Sequence, residues 1–130
     1  MSKTVITFGT FDVFHVGHLR ILERSREFGD RLVVGVSTDK LNESKKGRLP
    51  VYPQDERRQI VAALKCVDLT FYEDSLEEKE QYITEHGAQV LVMGDDWAGK
   101  FDHLSSCCEV IYLPRTPAIS TTEVIEKIRL

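Results

Sequence analysis

Five short runs of almost uninterrupted apolar residues limit the folds open to this chain more than any other feature. They are Val5-Ile6-Thr7-Phe8, Leu32-Val33-Val34-Gly35-Val36, Asp68-Leu69-Thr70-Phe71-Tyr72, Val90-Leu91-Val92-Met93 and Val110-Ile111-Tyr112-Leu113. A sheet with one wet face alternates apolar and polar residues, and these runs do not, so helices must cover both faces. Helical patterns lie between the runs. Leu19 to Phe28 repeats its apolar residues at helical spacing, and Gln54 to Leu64 reads as a helix with Pro53 near its first turn. Ser75-Leu76-Glu77-Glu78 is a capping-box pattern opening a helix that Gly87 closes. Ser120-Thr121-Thr122-Glu123 is another, ahead of the apolar face Val124, Ile125 and Ile128. The expectation is an α/β fold: one Rossmann-like domain over residues 1–130, with a five-stranded parallel sheet and helices on both faces. At 130 residues the chain is long enough for one core and too short for two.

The first run leads directly into Gly9-Thr10-Phe11-Asp12-Val13-Phe14-His15-Val16-Gly17-His18. In an open parallel sheet this strand-to-helix junction lies at the carboxyl ends of the strands, where ligands bind. Free N–H groups at the helix start favour an anion, and Gly17 lets a phosphate approach the backbone without meeting a Cβ. Imidazoles, a carboxylate, a hydroxyl and glycines in this setting point to a phosphate-handling site. Zinc is a poor alternative, because no Cys or further His lies nearby. Two ordinary surface histidines would be the reading if the flanking glycines, strand and helix were absent.

A net charge of −4 argues against a general nucleic-acid binder, so cations for phosphate must be local. They occur in Asn42 to Pro53, a stretch without clear periodicity that holds Lys45, Lys46 and Arg48. That stretch reads either as a solvated basic loop or as a loop closing over the site. Three cysteines, Cys66, Cys107 and Cys108, make no disulfide framework and suit a reducing cytoplasm. No signal-peptide core and no run of membrane-spanning length is expected.

The run Gly9-Thr10-Phe11-Asp12 with His15-Val16-Gly17-His18 resembles the nucleotidyltransferase superfamily with its His-x-Gly-His signature. Far downstream, Arg115-Thr116-Pro117-Ala118-Ile119-Ser120-Thr121-Thr122 resembles the second signature in its cytidylyltransferase form, with Ala118 where the family has glycine. Essentially the whole chain is similar to the bacterial glycerol-3-phosphate cytidylyltransferase family. That resemblance implies strand order 3-2-1-4-5. It implies transfer of CMP from CTP to a phosphorylated small alcohol, foremost sn-glycerol 3-phosphate, with release of pyrophosphate. Another acceptor such as phosphoethanolamine or phosphocholine, or adenylyl transfer, is the alternative within the superfamily. A nucleotide-sensing module or a structural domain would leave the donor groups without a use.

The same resemblance assigns roles. His15, His18 and Arg115 are the catalytic donors. Gly9, Thr10, Phe11, His15, His18, Lys65, Asp95, Arg115, Thr116, Ile119, Ser120 and Thr121 hold the nucleotide. Lys45 and Lys79 contact the acceptor phosphate, although a lone helical lysine such as Lys79 defaults to solvent. Asp95 lies in Met93-Gly94-Asp95-Asp96-Trp97-Ala98-Gly99-Lys100, which as a bare sequence is simply a Gly/Asp turn. Mg²⁺ accompanies CTP, with Asp12 binding it through water or serving as a structural turn. A homodimer and no membrane insertion follow. The sequence departs from the family at Lys65, where the family carries arginine, and at Leu76, where the family carries tryptophan.

Overall fold

The computed structural model describes residues 2–114 and 120–129. Strands β1 (Thr4–Gly9), β2 (Arg31–Ser37), β3 (Leu69–Glu73), β4 (Val90–Gly94) and β5 (Glu109–Leu113) form one sheet in the order β3-β2-β1-β4-β5. Every neighbouring pair is parallel, with Ile6 opposite Val33 and Leu91, and Val34 opposite Thr70. The order expected from the resemblance is therefore the one found, and β1 occupies the centre.

The helices are α1 (Val16–Arg26), α2 (Asp39–Lys46), α3 (Gln54–Ala62), α4 (Lys79–Glu85) and α5 (Thr121–Arg129). Because side chains alternate across each strand, the apolar runs feed two cores. On one face Val5, Leu32, Val34, Val36, Val90 and Val92 pack with Leu22 of α1 and Val61 of α3. On the other, Ile6, Phe8, Val33, Leu91 and Met93 pack with Ile83 of α4, and with Phe101 and Leu104. Gly35 makes room for two rings of the second core. A Cβ there would stand 2.6 Å from the Phe8 ring and 2.8 Å from the Phe71 ring.

Three local expectations need correction. Helix α1 begins at Val16 rather than Leu19, because His15 caps it. The first half of the stretch from Asn42 is helix α2, not loop. Its start is fixed by the Thr38 hydroxyl accepting from the Leu41 N–H at 3.2 Å, and its end by left-handed Gly47. An apolar stripe is missing because this helix buries Asn42 beside Leu41, and the Asn42 amide donates to the Thr38 carbonyl at 2.9 Å. Helix α4 begins at Lys79, past the expected box at Ser75. The Ser75 hydroxyl instead accepts from the Glu77 N–H and donates to that residue's own carboxylate, closing a local turn. Gly87 does sit in the left-handed conformation just past the helix end.

Candidate active site

At the carboxyl ends of the strands lies a crevice of about 970 Å³. The β1–α1 junction supplies Gly9, Thr10, Asp12, His15, Gly17 and His18. From the other elements come Ser37 of β2, Asn42 and Lys45 of α2, Glu73 of β3, Lys79 of α4, Asp96 and Trp97 after β4, and Ser120 and Thr121 at the start of α5. Sequence-distant groups therefore meet where an open parallel sheet binds its ligands.

The two histidines are set by the helix that they start. The Gly17 N–H donates to His15 Nδ1 at 3.0 Å, and the His15 N–H donates to His18 Nδ1 at 3.2 Å. Each Nδ1 is an acceptor, so the neutral ring carries its proton on Nε2. The rings stack at 4.0 Å between centroids, and Phe14 and Phe11 flank His18 at 5.3 and 5.7 Å. Burial among these rings, with repulsion from His15, pushes the His18 pKa down to about 4, against a smaller opposing pull from Asp12. Burial also lowers that of His15. Both are neutral Nε2–H donors at pH 7, suited to phosphate oxygens. Thr121 Oγ1 lies 3.4 Å from His15 Nε2 and donates to the Asp12 carbonyl at 3.2 Å, bringing the start of α5 onto the same motif. Ser120 accepts from the Glu123 N–H at 3.1 Å, so the expected cap is present.

Asp12 serves as a structural turn, one of the two uses that the sequence allowed. Its carboxylate accepts from the N–H groups of Val13 at 3.1 Å, Val51 at 2.7 Å and Tyr52 at 2.8 Å. Both oxygens are engaged by backbone, as the structural-turn reading of Asp12 requires, and one acceptor position stays open to a water. Its neighbours Phe11 and Val13 have φ of 54° and 46°, left-handed values that are unusual for side chains of their kind. Gly9 accommodates that turn, since a Cβ there would stand 2.8 Å from the Phe11 ring.

On the opposite rim the cations are arranged differently. Lys79 is 3% exposed, not solvated; its ammonium donates to the Glu73 carboxylate. That ammonium also lies 4.4 Å from the Phe8 ring centroid and 5.1 Å from that of Phe101. Glu73 is 1% exposed, and its other oxygen accepts from Ser37 Oγ at 3.2 Å. Lys45 lines the crevice from the last turn of α2, and burial lowers its pKa.

Arg57, fully buried on α3, ties these parts together. It donates to the carbonyls of Thr10 and Ser37, each at 2.8 Å, to that of Tyr52 at 2.9 Å, and to the Asp39 carboxylate at 2.7 Å. Sequence reasoning missed Arg57, Glu73 and Asn42. The one available signal was an arginine four residues before Val61 on a helix whose other charges have room in solvent.

Other expected residues are not all brought here. Lys65 is absent from the crevice lining and borders a separate cleft with Leu19, Glu23, Arg26 and Cys66. Asp95 is exposed and points no group into the lining, whereas Asp96 does contribute to it. Phe11 lines the crevice but is otherwise buried in the core, so its part is to shape the wall. Arg115, Thr116 and Ile119, with Ala118, fall outside the described residues.

Residues 6–127 match the family described as cytidylyltransferase-like. The chain belongs to that family. Among cytidylyltransferase-like relatives, it is 48% identical to a glycerol-3-phosphate cytidylyltransferase of Bacillus subtilis over 97% of each chain. It is 42% identical to the glycerol-3-phosphate cytidylyltransferase of Staphylococcus aureus over 97% of this chain and 95% of that one. The fold of a lipopolysaccharide core biosynthesis protein from Thermoplasma volcanium is similar, with a TM-score of 0.75 at 22% identity, covering 89% of this chain and 99% of that one.

Proposed function

We infer that this cytidylyltransferase-like chain transfers CMP from CTP to sn-glycerol 3-phosphate, giving CDP-glycerol and pyrophosphate. The observation that carries the chemistry is the pair of neutral imidazoles whose Nδ1 atoms are tied to backbone N–H groups, presenting Nε2–H at the crevice. The relatives that share nearly the whole chain supply the substrates.

An oxygen of the acceptor phosphate attacks the α-phosphorus of CTP, and the bond from that phosphorus to the α–β bridging oxygen breaks. Because the attacking oxygen is already ionised at neutral pH, no general base is needed. Catalysis consists of in-line positioning and stabilisation of charge on the α-phosphate and the leaving group. His18 donates to the α-phosphate as charge builds, and His15 to the adjoining phosphates. Arg115, with Ser120 and Thr121, takes the departing pyrophosphate, an assignment made on the sequence motif. Gly9, Thr10, Thr116 and Ile119 complete the nucleotide contacts.

No group of three His, Cys, Asp or Glu side chains among the described residues is placed to hold a metal. Mg²⁺ would accompany CTP, neutralising charge on the triphosphate, with Asp12 as the side chain that would hold it through water. No helix among the described residues is long and apolar enough to cross a membrane. The functional reading includes a homodimer in the cytoplasm, which light scattering on the purified chain and fractionation of cells test.

The deciding experiment measures pyrophosphate release with CTP, ATP, UTP and GTP, each against glycerol 3-phosphate, phosphoethanolamine and phosphocholine. CTP with glycerol 3-phosphate is expected to exceed every other pair. Equal or faster release with ATP overturns the nucleotide, and equal release with phosphocholine overturns the acceptor.

A further inference from the structure

Glu73 is out of place for a site that binds only phosphates. A carboxylate beside the path of a phosphate repels it, and burying an ion pair brings stability no clear gain. Yet Glu73 is almost completely buried, ends β3 at the crevice, and lines it together with Ser37 and Lys79. Ser37 Oγ engages one carboxylate oxygen and the Lys79 ammonium the other. A carboxylate accepts at roughly four positions, so capacity remains for donors brought by a ligand. An ionised phosphate has no proton to offer, whereas an alcohol does.

We propose that Glu73 is a specificity-determining residue that accepts hydrogen bonds from the hydroxyl groups of the acceptor. This rests on the acceptor reading given above and assigns the hydroxyl end of that molecule to the Glu73 side of the crevice. The phosphate end falls to Lys45, whose ammonium has no carboxylate within salt-bridge distance among the described residues. Lys79 then serves as a partner that keeps the Glu73 carboxylate aimed, its ammonium lying against the Phe8 and Phe101 rings. The ion pair also disfavours a cationic acceptor, because the Lys79 ammonium stands beside the carboxylate.

The test compares glycerol 3-phosphate with n-propyl phosphate, which keeps the phosphate and lacks both hydroxyls, in steady-state kcat/KM at saturating CTP. Wild-type enzyme is expected to favour glycerol 3-phosphate by about 10–100-fold, the scale for hydrogen bonds to a charged group. In Glu73→Gln that ratio should shrink to within about threefold while calorimetric CTP binding is retained, since the neutral amide bonds hydroxyls more weakly. Glu73→Asp keeps the charge but withdraws the oxygens, and it carries the same test if the Gln variant no longer binds CTP. Equal efficiency of the two acceptors in wild type overturns the proposal alone. A loss in Glu73→Gln that is the same for both acceptors also overturns it, because it confines Glu73 to holding Lys79. No pyrophosphate release from wild type with either acceptor overturns the functional reading and the proposal with it.

Discussion

The two rims of the crevice are built by opposite means. On the histidine side, His15 and His18 are three residues apart and are oriented by N–H groups of their own helix start. Nothing distant is needed to give them their tautomer. On the lysine side, Glu73 ends β3, Lys79 starts α4, Ser37 ends β2 and Lys45 lies in the last turn of α2, so only the finished sheet brings them together. The histidine rim is electrically neutral and depends on direction. The lysine rim is charged and depends on pairing. Neutral directed donors suit a transition state whose charge appears briefly, whereas fixed charges suit a substrate that must be held in its ground state.

Removing Lys79 should give the largest effect and break the lysine rim as a unit. Lys79→Ala leaves a buried carboxylate unpaired, and is expected to cost about 3–5 kcal/mol of stability in denaturant titrations. A loss below about 1 kcal/mol would mean that the pair is not desolvated in solution.

On the other rim, His18→Ala should leave CTP binding by calorimetry intact and lower kcat by roughly 10²–10³-fold, the scale for one preorganised donor. Unchanged kcat would remove the contrast between the rims. Stability should survive the substitution better than in Lys79→Ala, because a neutral partner rather than a charge is withdrawn.

Acid should affect the histidine rim through stability before it affects the nucleotide chemistry. The folded-state pKa of His18, about 4, lies below its unfolded value of about 6.5. The folded protein therefore binds fewer protons, and this contribution is full above pH 6.5 and is lost as pH falls toward 4. It amounts to about 3 kcal/mol in all. The unfolding midpoint of ligand-free protein should drop across that window, and His18→Gln should flatten the slope. Between pH 7 and 9 kcat should be level, because both imidazoles are already neutral and keep their Nε2 proton throughout that range. A fall through pH 6.5 as pH rises would show that a cationic histidine does the work.

Smaller again is the effect of Lys45→Ala. With no buried partner to strand, it should raise the KM of the acceptor about tenfold, with little change for CTP and under about 0.5 kcal/mol in stability. Equal changes for both substrates would place Lys45 on the triphosphate. At the end of the scale, His86→Ala should leave kinetics unchanged. That ring stacks on Phe71 at 4.4 Å between centroids and does not line the crevice.

What the sequence determined by itself was everything governed by short-range pattern. Val33 and Val34 face opposite cores because strand side chains alternate, so an unbroken apolar run is enough to announce a sheet covered on both sides. His15 and His18 were legible for the same reason, since a helix start, a glycine and two imidazoles are all local. The strand order came from family likeness rather than from the residues, because parallel strands carry no local mark of their neighbours. Only the tertiary structure decided the rest. A polar α2 hid its periodicity by burying Asn42, and Asp12 found its partners at Val51 and Tyr52, some forty positions away. Lys79 reads as solvated until β3 places Glu73 against it. Arg57 likewise reads as a surface charge until the carbonyls of Thr10, Ser37 and Tyr52 surround it. A charged side chain is buried only when distant groups compensate its lost hydration, and no window of sequence contains those groups.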